Sequence, residues 1–247
     1  MKPKFKLGLI LFALGFLGVL SLLTATLPMT EQFANLSPVV AKLLMLASPT
    51  VLLIISVVVG TILYDKVNFT LPTLSSLLKI DSPKIITFVQ QLKYGVPLGL
   101  LAGILIVLVA ALFNVIIPQE FAMLGSEVQV TLPVRFLYGG ITEELLLRFG
   151  FMTLVVWLIS KTVKKLNNPI YWIGIVVSTI LFAIGHFPAA FAAVGSPSLL
   201  LLTYVLIGNS IGGLLYGWLY WKKGLEAAII AHIFTHVAMV LGGLVVN

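Results

Sequence analysis

The sequence predicts an all-α, polytopic helical membrane protein, because of its composition and the length of its apolar runs. Of the 247 residues, 60% are hydrophobic and only 9% are charged, and the mean hydropathy is +1.15. A soluble domain carries about 25% charged residues, so a globule formed by this chain would not be soluble in water. The apolar runs are long enough to cross a bilayer as helices, whereas membrane β-barrels have alternating segments of about ten residues. We therefore expect a single integral membrane domain over residues 1–247.

About seven transmembrane helices are expected. The predicted spans are 7–27, 39–64, 94–117, 131–160, 169–186, 198–221 and 225–245. The first is too long for a signal peptide, so we expect it to be retained. The fourth would be roughly 45 Å long as an α-helix, against a bilayer core of about 30 Å, so we expect it to be tilted, bent or protruding. A break near Asn209 would make eight spans.

Two further patterns concern an amphipathic segment and helix packing. Residues 65–93 form the longest polar stretch, a predicted cytosolic loop whose apolar residues recur at near-helical spacing: Leu71, Leu74, Leu77, Leu78 and Ile80. This spacing is typical of an amphipathic helix on the membrane surface, but a loop with a helical turn fits equally well. The sixth span contains two overlapping GxxxG pairs, which favour close helix packing: Gly208, Gly212, Gly213 and Gly217.

The lysines predict the topology. Twelve of the fifteen cationic residues fall on alternate connections: Lys2, Lys4, Lys6, Lys66, Lys79, Lys84, Lys93, Lys161, Lys164, Lys165, Lys222 and Lys223. The opposite connections carry Lys42 and three glutamates. Because cytoplasmic connections are enriched in Lys and Arg, we expect a multi-pass protein of the cell membrane with a cytosolic N-terminus and an outer C-terminus.

The distribution of charge also limits which partners the protein is expected to bind. The net charge of +7 marks topology rather than nucleic-acid affinity, so we expect no nucleic acid. The expected partners are the lipid bilayer and a membrane-associated protein or peptide. The chain has no cysteine, which excludes disulfides and thiolate chemistry.

Seven ionisable residues are expected inside the membrane, and they include every histidine of the chain: Arg135, Glu143, Glu144, Arg148, His186, His232 and His236. A charged group at the bilayer centre costs about 2.5–3.5 kcal/mol on insertion scales, so such groups mark candidate functional sites. At about 1.5 Å per residue along the predicted spans, the glutamates and histidines can meet near the middle of the bilayer. Arg135 lies near the outer end of its span, where we expect it to snorkel.

Helical spacing gives the two adjacent glutamates different neighbours. Glu144 and Arg148 are four residues apart and can pair on one helix face. Glu143 points about 100° away, so we expect it to face the histidines, while the Glu144–Arg148 pair stabilises the structure. His232 and His236 are also four residues apart and present two imidazoles on one face.

Three motifs follow each other on successive predicted helices: Glu143-Glu144-x-x-x-Arg148, Phe182-x-x-x-His186 and His232-x-x-x-His236. They resemble the signature of the CPBP (Abi) family of intramembrane proteases, which includes the type II CAAX prenyl endopeptidases. The glycines of the sixth span and Gly224-Leu225 fit the same family. The resemblance covers residues 138–243 and implies a catalytic core over 131–245 that hydrolyses a peptide bond at or within the membrane.

The resemblance also implies a role for each motif. Glu143 would activate a water molecule, and Glu144 with Arg148 would support it. His186 would position or deprotonate that water, and His232 would help to hold the oxyanion of the tetrahedral intermediate. The remaining pocket residue would be the aromatic member of the second motif, Phe182.

One position departs from the family's pattern, which commonly has Asn where this chain has His236. An amide always has N–H groups to donate to an oxyanion, whereas neutral imidazole donates from only one of its two nitrogens. The role of His236 as an oxyanion donor therefore stays open. The change also allows a chemically reasonable zinc site of three histidines and one carboxylate: Glu143, His186, His232 and His236. We expect a metal-independent glutamate mechanism, with zinc as the alternative.

Two other functions compete with proteolysis. A non-catalytic member of the same family, acting as an immunity or scaffold factor, would carry these motifs without needing them. A proton-coupled transporter also uses buried Glu and His. Such transporters tend to contain internal repeats, but the first three spans share no motif with the last four, which makes this function the least favoured.

Overall fold

The computed structural model describes residues 3–25, 37–80, 86–128 and 130–246, and every regular element in these ranges is helical. The α-helices are α1 (Pro3–Ser21), α2 (Pro38–Leu63), α3 (Pro72–Leu77), α4 (Phe88–Ile116), α5 (Pro118–Glu127), α6 (Thr153–Val163), α7 (Asn168–Ile184), α8 (Phe187–Val194), α9 (Leu199–Lys223) and α10 (Leu225–Val246). Within these ranges, seven helical stretches are long and apolar enough to cross a membrane. The predicted all-α fold and seven spans are confirmed. Asn209 lies inside the unbroken helix α9, so the sixth span is not divided.

Capping residues determine where several of these helices begin. α4 starts with a capping box, in which Thr87 and Gln90 satisfy each other's backbone amides. This box lies in the polar stretch, so α4 begins at Phe88 rather than near residue 94 as predicted. The side chains of three other residues accept a backbone amide at the starts of α2, α7 and α9: Ser37, Asn167 and Ser198.

The predicted cytosolic loop packs against the helix bundle. It contains most of a 3-10 turn (Tyr64–Val67), the helix α3 and the first residues of α4, and residues 81–85 lie outside the described ranges. Phe69 and Leu71 are buried, and the amide of Leu225 donates to the carbonyl of Thr70 at 3.1 Å. We call residues 64–80 the plug. Val67, Phe69 and Leu71 of the plug belong to the buried hydrophobic cluster, whereas Leu77 is 73% exposed. The amphipathic surface helix and the loop with a helical turn both stay predictions for residues 65–93.

The fourth span departs from regular α-helix. Val134–Glu143 and Leu145–Met152 are π-helical, and we call residues 134–152 the π segment. In a π-helix the backbone hydrogen bonds run from i to i+5, so each turn is wider and takes up more residues than an α-turn. The segment therefore rises less per residue, which shortens the span relative to the roughly 45 Å expected for an α-helix.

Glycines allow the closest helix contacts, and two of these contacts position the site. α4 lies against α10 along Gly95, Gly99 and Gly103, and a Cβ on Gly99 would overlap the backbone of Ala231. On α9, a Cβ at Gly213 would lie 2.7 Å from the side chain of Thr179 on α7. The close packing predicted for the sixth span is therefore present at Gly213.

The remaining glycines of the sixth span have different surroundings. A Cβ at Gly217 would lie 3.0 Å from Ile175 on α7, which is again a close helix contact. Gly212 instead faces the ring of Tyr216, and Gly208 has no atom within 4 Å of such a Cβ. The GxxxG pattern therefore reports helix packing at two of its four positions.

Candidate active site

The π segment carries the two adjacent glutamates and Arg148 into the helix bundle. The side chains of Glu144 and Arg148 are fully buried, and Arg148 Nη1 lies 3.2 Å from Glu144 Oε1. The ion pair expected from the four-residue spacing is therefore present. The Glu143 side chain is 16% exposed and lines a cavity. The two carboxylates occupy different environments although they are adjacent in sequence.

Arg148 is held by three helices. Its Nη2 donates to the carbonyl oxygen of Gly213 on α9 at 3.1 Å. Its Cζ atom lies 4.8 Å from the ring centroid of Phe182 and 5.3 Å from that of Tyr216. Both distances are within the range of a cation–π interaction. The guanidinium therefore joins the π segment to α7 and α9 in addition to pairing with Glu144.

His186 lies immediately beyond the end of α7. Carbonyl groups in the last turn of a helix lack intrahelical partners, and the Phe182 carbonyl oxygen lies 2.8 Å from His186 Nδ1. Because a carbonyl only accepts, we assign the proton to Nδ1, which leaves Nε2 as an acceptor. Nε2 lies 4.0 Å from Glu143 Oε1, and the His186 side chain is 37% exposed. The second motif thus presents a basic nitrogen to Glu143.

His232 stands between the two carboxylates. Its Nδ1 lies 2.9 Å from Glu144 Oε1, and its Nε2 lies 3.8 Å from Glu143 Oε2. A neutral imidazole donates from only one nitrogen, and the Glu144 oxygen that also faces Arg148 is suited to accept. In the tautomer that fits, Nδ1 donates to Glu144 and Nε2 is an acceptor facing Glu143. In this state His232 cannot donate to an oxyanion until it gains a second proton.

Of the three histidines, His236 alone has no carboxylate within salt-bridge distance in the part of the chain that the structure describes. Its ring stacks on that of His232, with centroids 5.0 Å apart and planes 20° apart. Both of its ring nitrogens are buried and have no hydrogen-bond partner among the described residues. A Cβ on Gly139 would lie 2.6 Å from its Nε2, so the glycine leaves room for this ring. The expectation that Glu143 faces all three histidines therefore holds for His186 and His232 only.

The fit of the alternative zinc site can be judged from the same geometry. No group of three or more His, Asp or Glu side chains in the described ranges is arranged to hold a metal ion. His232 uses Nδ1 for Glu144, and His236 stacks beside it without approaching Glu143. The set of Glu143 and three histidines does not converge on one point in this conformation.

A cavity of about 460 Å³ leads to Glu143 and His186 from between α2 and α7. Its walls are mostly apolar and include Phe182, whose ring contacts His186 edge-on at 4.8 Å. Leu52 and Ile55 on α2 line it and are each 52% exposed. Both residues lie within Val39–Val67, a stretch that is long and apolar enough to cross a membrane.

Tyr216 belongs to the site but was not identified from the sequence. Its ring is buried and stacks on His232, with centroids 4.5 Å apart and planes 20° apart. Its position among the glycines of the sixth span is the available signal, because a large aromatic residue on a glycine-rich face must fill the space that the glycines leave. That signal indicates burial but gives no partner.

A further buried carboxylate, Glu226, was also missed. It lies in the first turn of α10, and its two oxygens accept from the amide of Leu74 in the plug at 2.9 Å and from Gln91 Nε2 at 3.0 Å. It falls at the start of the predicted seventh span, and its partners are distant in sequence, so local spacing does not indicate them. The structure instead gives it a role in fastening the plug to α10.

Comparisons with known proteins bear on the helices that carry this site. A protein-family model described as Rce1-like, Type II CAAX prenyl endopeptidase, matches residues 126–238. This range contains the π segment, α7, α9 and most of α10, and therefore all three motifs. Comparisons with curated proteins and with solved structures gave no match.

Proposed function

We propose that this chain, which over residues 126–238 belongs to the Rce1-like family of type II CAAX prenyl endopeptidases, is an intramembrane endopeptidase. The observation that carries the proposal is the position of Glu143. Its carboxylate lies 4.0 Å from one histidine nitrogen and 3.8 Å from another, and it lines a mostly apolar cavity. A carboxylate beside two nitrogen acceptors is suited to move protons to and from a bound water.

The proposed reaction begins with a water molecule between Glu143 and His186. Glu143 takes one proton from the water, and Nε2 of His186 accepts a hydrogen bond from the other. The water oxygen forms a bond to the carbonyl carbon of the scissile peptide, and the carbonyl electron pair moves onto its oxygen. The tetrahedral intermediate then expels the amine, which takes the proton from Glu143. The products are a carboxylic acid and an amine, so one water is consumed.

His232 and Glu144 support these proton movements. The Nε2 atom of His232 is an acceptor 3.8 Å from Glu143, so it can hold the proton of Glu143 between the two steps. The resulting imidazolium would be stabilised by Glu144, to which Nδ1 remains hydrogen-bonded. Once protonated, Nε2 becomes a donor and can stabilise the oxyanion. This order of events reconciles the oxyanion role implied by the family with the tautomer assigned above.

The cavity indicates which kind of chemical group the substrate carries beside the scissile bond. Its walls are mostly leucine, isoleucine and phenylalanine side chains, and we propose that it opens toward lipid, so that an apolar chain can enter it from the bilayer. The family name refers to prenylated substrates, and a prenyl group is such a chain. We therefore propose a membrane-associated protein or peptide that carries an apolar chain beside the scissile bond.

Cleavage of a fluorogenic, C-terminally prenylated CAAX peptide by the protein reconstituted in liposomes tests this function. We expect Glu143→Gln to abolish cleavage, because an amide cannot accept the proton of the water. Glu127→Gln is the matched control, since Glu127 is exposed at the end of α5 and lies outside the three motifs. Cleavage by Glu143→Gln at the wild-type rate would exclude the mechanism. A wild-type protein that cleaves no peptide would favour the non-catalytic immunity or scaffold function.

The proposed mechanism assigns no metal. The same preparation is used for elemental analysis and for cleavage with and without a chelator. We expect chelation to leave the rate unchanged. A rate that falls on chelation and returns with added zinc would favour the alternative zinc site instead.

A further inference from the structure

Tyr216 contacts two members of the site at once. It lies on α9 with 1% of its surface exposed. Its ring stacks on His232 at a centroid distance of 4.5 Å and an angle of 20° between planes. The Cζ atom of Arg148 lies 5.3 Å from the same ring. One aromatic side chain therefore bounds both residues that bind Glu144.

Gly212 leaves open the space that the Tyr216 ring occupies. Gly212 precedes Tyr216 by one helical turn, and a Cβ there would lie 2.9 Å from two ring carbons and from the hydroxyl oxygen of Tyr216. Real Cβ contacts are longer, so an alanine at 212 would force the ring to move. By contrast, a Cβ at Gly208 would have no atom within 4 Å. The ring thus lies in a space that a specific glycine keeps open.

We propose that Tyr216 is a positioning residue that fixes the plane and tautomer of the His232 imidazole. The two nitrogens of His232 face different carboxylates, so rotation of the ring would exchange their roles. Terminal torsions of histidine have broad, roughly two-fold energy wells, so the hydrogen bond to Glu144 alone leaves the ring angle loosely defined. Stacking against Tyr216 restricts that angle and keeps Nδ1 toward Glu144 and Nε2 toward Glu143.

The ring, rather than the hydroxyl, carries this role. Stacking and the cation–π interaction with Arg148 both use the aromatic face. Phenylalanine at 216 would therefore preserve the function, and leucine would remove it. Tyr220 offers a matched control, because it is one turn further along α9, fully buried, and bonded to Thr153 rather than to the site.

Nitrogen NMR of the histidine rings tests the geometric part without any substrate. The chain has three histidines, so protein labelled with ¹⁵N-histidine in nanodiscs gives three pairs of ring resonances, and His232→Gln assigns one pair. We expect wild type, Tyr216→Phe and Tyr220→Leu to have one protonated and one bare nitrogen at His232. Tyr216→Leu and Gly212→Ala should give averaged resonances, while Gly208→Ala should match wild type.

The kinetic part rests on the proposed function and uses the prenylated peptide assay. A misplacement of about 1 Å can cost about 10²-fold in rate, so we expect kcat to fall by about that factor in Tyr216→Leu, with KM unchanged and with recovery in Tyr216→Phe. An unaltered His232 spectrum in both Tyr216→Leu and Gly212→Ala overturns the proposal, as does an equal change in Tyr220→Leu. If wild type cleaves nothing, the proposed function fails and the spectra alone decide the role of Tyr216.

Discussion

Glu143 and Glu144 differ in exposure and partners, and this difference divides their chemistry. The Glu144 side chain has no exposed surface and binds Arg148 and His232. The Glu143 side chain is 16% exposed and reaches the cavity. A base that exchanges protons with water must be accessible, whereas a buried carboxylate needs compensating partners. The adjacent residues can therefore act as a base and as its structural support.

The buried pair leads to a prediction about stability. Arg148→Ala leaves the Glu144 carboxylate without its cationic partner, and breaking a buried pair in this way costs about 3–5 kcal/mol. We expect the free energy of unfolding to fall by that order, measured by circular dichroism in mixtures of mild detergent and SDS. Arg135→Ala is the control, because the Arg135 side chain donates a hydrogen bond to the neutral carbonyl of Val130 at 3.3 Å. Equal losses in both variants would contradict a special role for the pair.

Local spacing predicted some of these contacts and missed others for a physical reason. The Glu144–Arg148 pair follows from a four-residue separation on one helix, and the structure contains it. The bond from His232 to Glu144 joins residues 88 positions apart. Its geometry depends on how α10 packs against the π segment, which no local pattern encodes. The tautomer of His186 likewise depends on a carbonyl freed by the end of α7.

At the scale of helices, the glycine face of α4 sets the position of α10. Gly95, Gly99 and Gly103 follow each other at four-residue intervals and meet backbone atoms of α10 and the side chains of Ile230 and Ala238. Thr235 on α10 donates to the carbonyl of Gly99 at 3.0 Å. Since α10 carries His232, this helix pair determines how far the imidazole reaches toward the glutamates.

Substitution within this face tests the role of α4. Gly99→Ala should push α10 away, because a Cβ would overlap the Ala231 backbone. Overpacking of this kind costs about 1–3 kcal/mol, and we expect a lower unfolding midpoint together with a slower cleavage rate. Gly125→Ala on α5 has no atom within 4 Å of the added Cβ and should leave both unchanged or slightly raise the midpoint. A wild-type rate and midpoint in Gly99→Ala would contradict the close contact.

The number of candidate membrane spans could be predicted from hydropathy, but the π-helical geometry of the fourth span could not. Hydropathy reports length and apolar content, which the π segment shares with an α-helix. The choice of i to i+5 bonding depends on contacts with neighbouring helices, such as the hydroxyl of Thr142 donating to the Gly15 carbonyl of α1 at 2.7 Å. The inward packing of the plug was equally hidden, since its apolar spacing suits a membrane surface and a protein core alike.

On the scale of the whole molecule, the predicted seven-span topology places the two termini on opposite sides of the membrane. The lysine distribution predicts that the N-terminus is cytosolic, and labelling of single cysteines tests this directly because the chain has none of its own. Ser126 and Lys165 are both exposed and lie on opposite sides in the predicted topology. With a membrane-impermeant maleimide on intact cells, we expect Ser126→Cys to react and Lys165→Cys to react only after permeabilisation. The reverse pattern would invert the topology.

The cavity between α2 and α7 has a consequence for the sequence of events in one turnover. Hydrolysis consumes a water molecule, and hydrocarbon supplies almost none. Glu143 and His186 both line this mostly apolar cavity. An apolar chain that fills the cavity also displaces solvent from it. In the proposed reaction, hydration of the glutamate therefore precedes entry of the chain, so a substrate that fills the cavity would trap the water molecule that hydrolyses it.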